Sequence, residues 1–448
     1  MKRITLLLIA AGGFTMAVNA QNEETFISKL QPEIQYTRPG DKAGINHFET
    51  SKDETVPYEG LKVKFGAGFT QSFQTLSHSN SGAVPLYPRL APGFGVAQAN
   101  LMMDVQLADG IKLNLETYLS SRHHNESWVK GGYIQFDKLP FKGELWDNLM
   151  QYATIKVGHM EINYGDQHFR RSDGGNTIYN PFAENYIMDA FATEVAGEVY
   201  LKANGLMGMV GVSNGLINGG FQHAQQTVGT GAGAQTIPYH RNPSFYAKGA
   251  VDKTFGEVRA RGAASIYYNA SDGRSTLYGG DRTGSNYFFV MEPGTAGVTA
   301  ATNAFSGRVN PGFSNQIRAF QLNGFLKAYG LEFFGTYENA KGRNAAERFA
   351  AFDKRSVNQF AIDAIYRMGA KEKVFIGGRY NTVNGQLLAS NNAKQNVNRI
   401  AIGGGWFLTP NVLLKGEYVD QKYNDFPTGN ILEKGHFKGG VIQAVVGF

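Results

Sequence analysis

Ala97-Gln98-Ala99-Asn100-Leu101-Met102-Met103-Asp104-Val105-Gln106-Leu107 separates into two faces when every second residue is taken. Successive side chains of an extended chain point to opposite sides. Ala97, Ala99, Leu101, Met103, Val105 and Leu107 therefore share one side, and Gln98, Asn100, Asp104 and Gln106 share the other. One face is oily and the other is wet. The pattern returns at Val258, Ala260, Ala264, Ile266 and Tyr268 against Glu257, Arg259, Arg261 and Ser265, and at Val374, Ile376 and Tyr380 against Lys373, Arg379 and Asn381.

Outward from this stretch, sixteen segments of 9 to 15 residues read as strands: 61–75, 94–107, 110–121, 129–138, 153–164, 192–203, 206–214, 244–253, 257–269, 315–328, 331–340, 357–369, 372–384, 396–408, 411–423 and 436–448. The gaps between them measure 18, 2, 7, 14, 27, 2, 29, 3, 45, 2, 16, 2, 11, 2 and 12 residues. Long and short connections alternate, with turns such as Asp109-Gly110, Tyr329-Gly330 and Thr409-Pro410 at one end. That asymmetry belongs to a membrane barrel, which has short periplasmic turns and longer outer loops. The segments also match the about 9 to 11 residues of a tilted membrane strand and exceed the about 5 to 6 usual in soluble sheets. The expected fold is all-β, a sixteen-stranded antiparallel transmembrane β-barrel. Phe65, Phe73, Tyr118, Tyr268, Tyr329, Tyr380, Trp406, Tyr418 and Phe448 fall at segment ends, where interfacial girdles form. In 139–152, Leu145, Trp146, Leu149 and Met150 have helical spacing and predict a short periplasmic helix. Segments 129–138, 153–164 and 206–214 alternate poorly, and their faces stay unassigned.

Composition excludes other classes. Glycine is 56 of 448 residues, 12.5% against a usual share of about 7%, and cysteine is absent. No run of 18 apolar residues exists, which excludes a helical membrane protein. Lys2 and Arg3, the apolar run 4–11 and Val18-Asn19-Ala20 read as a secretory signal peptide over 1–20 with cleavage before Gln21. The mature chain then carries 41 basic and 37 acidic residues, a net +4 that excludes a nucleic-acid binder. Residues 21–60 read as a periplasmic N-terminal segment and 61–448 as the barrel. Export to the Gram-negative outer membrane follows, with lipid and lipopolysaccharide as surroundings.

The chain ends Val441-Ile442-Gln443-Ala444-Val445-Val446-Gly447-Phe448, which resembles the terminal strand of Gram-negative outer-membrane barrels. Ile155-Lys156-Val157-Gly158-His159-Met160-Glu161-Ile162-Asn163-Tyr164-Gly165, followed by a loop and Ala196-Gly197-Glu198-Val199-Tyr200, resembles the phosphate-selective porin O and P family and its Bacteroidetes relatives. The resemblance implies a water-filled porin channel for passive diffusion, a third loop (165–191) folded into the pore, and a homotrimer. It also implies phosphate as a solute, through a dense ladder of basic residues.

The residues themselves support a weaker bias. Strands with a clear polar face place Lys62, Lys64, Lys112, Lys202, Lys248, Arg259, Arg261, Lys327, Arg367, Lys373, Arg379, Arg399 and Lys415 inside. Opposite them stand Asp104, Glu116, Glu194, Glu198, Asp252, Glu257, Glu332, Glu338, Asp363 and Glu417, leaving an excess of +3. The third loop adds Arg170 and Arg171 but also Asp166, Asp173, Glu184 and Asp189. The expected constriction is built from Arg170, Arg171, Asp166, Asp173, Lys248, Arg259, Arg261, Arg379, Arg399 and Lys415, and passes small hydrophilic solutes with a weak lean toward anions, phosphate being one candidate. A mixed ring of this kind orients dipolar solutes more than it selects by sign.

Catalysis and cofactors are not expected. Gly211-Val212-Ser213-Asn214-Gly215 matches a nucleophile elbow but is not followed by a helical pattern. His123, His124, His159 and His168 lack metal-ligand spacing. Gly229, Gly231 and Gly233 read as a flexible loop, and 270–314, with Asp272, Gly273, Asp281 and Gly284, as a cover of the pore mouth or a partner site. The competing reading is a non-conducting barrel that serves as an adhesin or as the scaffold of a surface complex. A third, an outer-membrane hydrolase, requires a lipid-facing Ser/His pair.

Overall fold

A computed structural model describes residues 31–448 except 96, 120–127, 216–223, 229–232, 273, 280–284, 286 and 306. The leader, His123, His124, Gly229, Gly231, Gly273, Asp281 and Gly284 lie outside the described residues.

Alternating, glycine-rich segments become long strands because each can bury one face and expose the other. In chain order they are β1 (Lys62–Ser79), β2 (Gly93–Phe94), β3 (Gln98–Ala108), β4 (Ile111–Leu119), β5 (Trp128–Phe136), β6 (Ala153–Glu161), β7 (Thr193–Ala203), β8 (Leu206–Ser213), β9 (Ala224–Val228) and β10 (Gln235–Tyr239). The second half adds β11 (Ser244–Phe255), β12 (Val258–Asn269), β13 (Gln316–Ala328), β14 (Leu331–Arg343), β15 (Arg355–Met368), β16 (Val374–Gly385), β17 (Gln395–Thr409), β18 (Val412–Asn424) and β19 (His436–Gly447). β2 is a two-residue strand beside β1, and β9 with β10 forms a separate hairpin. The other sixteen make the wall. Each pairs antiparallel with its neighbour, and β19 pairs β1 from Gly68 opposite Gly447 to Ser79 opposite His436, so the sheet closes. Closure leaves no open edge, and every wall strand finds backbone partners on both sides, as a bilayer requires.

Sidedness follows the alternation. On β15, Gln359, Asp363 and Arg367 are buried while Phe360, Ile362 and Tyr366 are exposed. A water-facing sheet shows the reverse, so the outer surface is built for lipid. Phe65, Tyr268, Tyr329, Tyr380, Tyr418 and Phe448 lie on that surface. Tyr118 does not: it is 2% exposed and shares the inner face with Lys112 and Glu116. A helix spans Glu144–Met150 at the short-turn end, with Leu145, Trp146 and Leu149 exposed and Met150 buried.

Two of the three poorly alternating segments, β5 and β8, have local causes. In β5, Lys130 faces inward and so do Tyr133 and Gln135, so the phase changes at Gly131-Gly132. There the β4/β5 register slips, Glu116 facing Gly131 and Thr117 facing Val129, which is what a bulge does. β8 alternates perfectly, but both faces are apolar: Leu206, Val210 and Val212 point out, and Met207 and Met209 point in.

Candidate functional site: a cationic chamber inside the barrel

Three stretches of chain occupy the barrel interior. Residues 162–192, between β6 and β7, cross it and bond to the far wall. Ile187 N–H donates to Asn381 at 2.6 Å, Met188 N–H to Gln359 at 2.8 Å and Ala183 N–H to Glu417 at 2.7 Å. The described residues of 270–315 pack on this crossing from the long-loop end: Tyr287 donates to Asp189 at 2.8 Å, Val309 N–H to the Ile187 carbonyl at 2.7 Å, and Tyr278 to Glu338 on β14 at 2.7 Å. Residues 34–56 enter from the short-turn end, where Phe48 packs edge-on against Phe325 (5.5 Å) and Phe169 (5.7 Å).

Nine of the ten constriction residues named from sequence anchor the crossing loop, and the tenth, Arg259, holds Asp252 and the Asn46 carbonyl instead. Arg170 pairs with Glu332 at 2.7 Å. Arg171 pairs with Asp189 at 2.9 Å and Asp173 at 3.2 Å. Asp166 sits between Lys248 (2.6 Å) and Arg261 (2.8 Å), and both cations also hold Glu49, at 2.9 and 2.7 Å. Arg259 pairs with Asp252 (2.7 Å), Arg379 with Asp363 (2.7 Å) and Arg399 with Glu184 (3.3 Å). Lys415 donates to three loop carbonyls, those of Thr177, Asn180 and Phe182, at 3.1, 2.9 and 2.7 Å. Burial alone would raise the Glu49 carboxyl, but Lys248 and Arg261 hold it well below the usual carboxylate range.

None of the ten lines a second space left inside, on the side of the N-terminal segment. That space is a cavity of about 250 Å³ between the N-terminal segment, the crossing loop and the inner faces of β1 and β3 to β7. Arg38, Lys64, Lys112, Lys130, Lys156 and Lys202 line it, with Glu49, Asp104, Glu116 and Glu161. Lys130 is used by Glu116 (3.1 Å) and Asp173 (3.0 Å), Glu161 pairs with His168, and Glu49 is satisfied as above. Five cations remain without a carboxylate within 4 Å among the described residues: Arg38, Lys64, Lys112, Lys156 and Lys202. Asp104 is the one lining carboxylate in that condition. Aromatic faces and carbonyls hold four of these cations, Arg38, Lys112, Lys156 and Lys202, instead. Lys156 lies 5.0 Å from the Tyr133 ring and 5.6 Å from Tyr200, Arg38 is 3.7 Å from Tyr179, and Lys112 donates to the Tyr36 carbonyl at 2.6 Å. Such partners steady a cation without cancelling its charge.

Lys64, Lys112, Lys202 and Asp104 lie on strands whose alternation marks them as inward. Lys130 and Lys156 carry no such mark because they sit on segments that alternate poorly, and neither does Arg38, which lies outside the strands. Gly66 and Gly131 also line the cavity. Ser213 is buried and hydrogen-bonds Glu194, an acid in place of the histidine an elbow serine needs.

Burial pushes the Glu184 carboxyl in the crossing loop up to about 8, against the pull of Arg399. The folded chain then holds this proton where the unfolded chain has released it. Its contribution is full below the unfolded value of about 4.3 and is lost as pH rises through about 8. Glu184→Gln should flatten the pH dependence of the urea midpoint between about pH 5 and 9 and raise the midpoint at the alkaline end. An unchanged slope would show that other groups set it.

No protein-family model and no curated protein matches the sequence. Among solved structures, the anion-selective porin from Comamonas acidovorans superposes with a TM-score of 0.52 at 11% identity, over 87% of this chain and 100% of that one. The outer membrane channel DcaP of Acinetobacter baumannii gives 0.48 at 10% identity over 88% and 99%, and Pseudomonas putida OprB gives 0.47 at 10% over 87% and 94%. At this identity the likeness concerns the fold: this chain has the closed sixteen-stranded barrel of bacterial outer-membrane porins.

Proposed function

We propose that this protein is an outer-membrane channel through which small hydrophilic solutes diffuse, with a preference for anions, inorganic phosphate among them. The carrying observation is the chamber, where five lining cations lack an ion-pair partner and one carboxylate does. Cations enclosed by a low-dielectric wall attract a mobile counter-ion far more strongly than cations in open water. The name of the Comamonas porin, anion-selective, agrees with this reading. The signal peptide over 1–20 delivers the chain, the apolar outer face meets lipid and lipopolysaccharide, and a homotrimer is the assembly proposed. The chemistry is passive, with no group of the chain assigned to catalysis.

Single-channel recording of the purified chain in planar bilayers tests this reading. A tenfold KCl gradient should give stepwise openings with an anion-favouring reversal potential, and added phosphate should reduce the chloride current. A cation-favouring potential would refute the selectivity, and silence under every condition would refute the channel. The second reading, a non-conducting adhesin or scaffold barrel, draws on the three stretches that fill the interior.

A further inference from the structure

We infer that residues 34–56 are a displaceable plug that closes the short-turn mouth of the barrel; the inference rests on reading the barrel as a channel. The segment reaches every short connection of the wall or the strand end beside it. Gln35 bonds Asp109 (3.3 Å) and the Gly110 N–H (2.9 Å) at the β3–β4 turn, and Lys52 bonds the Asp137 carbonyl (2.9 Å) and the Ala153 carbonyl (2.8 Å) at either end of the β5–β6 connection. Lys202, beside the β7–β8 turn, donates to the Thr50 carbonyl at 2.8 Å. Arg259, beside the β11–β12 turn, donates to the Asn46 carbonyl at 3.0 Å, and Asn46 donates to Glu332, beside the β13–β14 turn, at 2.7 Å. Lys42 bonds the Lys371 carbonyl at the β15–β16 connection and, through its N–H, the Pro410 carbonyl at 3.0 Å at the β17–β18 turn. A strap fastened at seven points around a ring spans the opening it encircles.

The way it is fastened makes it separable. Apart from Lys42 to Pro410, each bond just named runs through at least one side chain, and the segment forms no ladder with a wall strand. Its regular structure among the described residues is a single turn, Lys42–Gly44. The barrel closes through β1 and β19 without it, so its departure breaks no strand pairing. Segments of this kind, with few backbone bonds and little regular structure, open at lower free energy than the sheet they rest on. Departure would also remove one side of the chamber, because Tyr36, Thr37, Arg38, Phe48, Glu49 and Thr50 belong to its lining.

The chain has no cysteine, so a single engineered disulfide can be read without background. Lys42→Cys with Pro410→Cys, at backbones that already meet, should lock the plug when oxidised. Recorded in planar bilayers, the oxidised protein should show at least threefold lower open-state current or open fraction than the same sample after reduction. Equal traces in both states, with the bond confirmed by mass, would overturn the plug. Silence in both states would overturn its displacement, and a chain with residues 34–56 replaced by a Gly/Ser linker then separates the causes. Conduction by the linker chain would identify a fixed seal, whereas silence of that chain, with heat-modifiable migration showing a folded barrel, would place the failure in the channel reading itself.

Discussion

Replacing Lys112, Lys156 and Lys202 together by glutamate should reverse the sign of the reversal potential under a salt gradient. The three cations face the chamber without ion-pair partners, and after replacement Arg38 and Lys64 stand against Asp104 and three new carboxylates. Each change alters the local charge by two. At about 8 Å in a water-like dielectric that is worth about 1 kcal/mol to an anion and the reverse to a cation, and screening at about 0.1 M salt roughly halves the sum, leaving about fivefold in the anion-to-cation permeability ratio. Three sites together should move the ratio by more than tenfold at low salt, and by less as the Debye length shortens to about 3 Å at 1 M. Lys156→Glu alone should move it about fivefold in the same direction, and its side chain is the best placed for a single exchange because aromatic rings rather than backbone carbonyls hold it. A potential that keeps its sign in the triple variant would show that the chamber is off the permeation path.

The second large effect is expected at Arg379. Its guanidinium makes two bonds to Asp363 (2.7 and 2.9 Å), donates to the Glu184 carbonyl at 2.8 Å, and lies over the Phe182 and Tyr186 rings at 4.3 and 4.4 Å. One side chain thus ties β15 and β16 to the crossing loop. Arg379→Ala leaves Asp363 buried without its cation, a loss of about 3 to 5 kcal/mol when a buried pair is broken from one side. The heat-modifiable transition should fall, and the loop, released from that wall, should widen the pore and raise the conductance. A joint change Arg379→Met with Asp363→Leu should recover much of the transition temperature, because a pair replaced by apolar groups of similar volume leaves no orphan charge. If Arg379→Ala lowers the transition without changing conductance, the loop does not limit the current.

The fold was legible because its signal is local. Alternation at Gln98 to Leu107 and in twelve of its fifteen counterparts follows from backbone geometry with a period of two, and the closed sheet contains all sixteen of these strands close to the expected bounds. Where legibility failed in β5 and β8, each strand has its own local cause. The slip at Gly131-Gly132 changes the phase of β5, and β8 is apolar on both faces because Met207 and Met209 pack into a buried cluster inside the barrel.

The charges could not be sorted in the same way. Counting inward residues treats each cation as available, yet Arg261 meets Glu49 across 212 positions and Lys248 meets Asp166 across 82. Such pairings depend on the path of residues 162–192 and 34–56 through the interior, and no short-range pattern encodes that path. By itself, then, the sequence determined the strand number, their direction, the short-turn and long-loop ends and the oily outer face, all of which follow from the geometry of neighbouring residues. Only the tertiary structure decided which side chains stay unpaired, where the chamber lies and what covers the short-turn mouth, because charge neutralisation and occlusion are set by groups that folding brings together from distant parts of the chain.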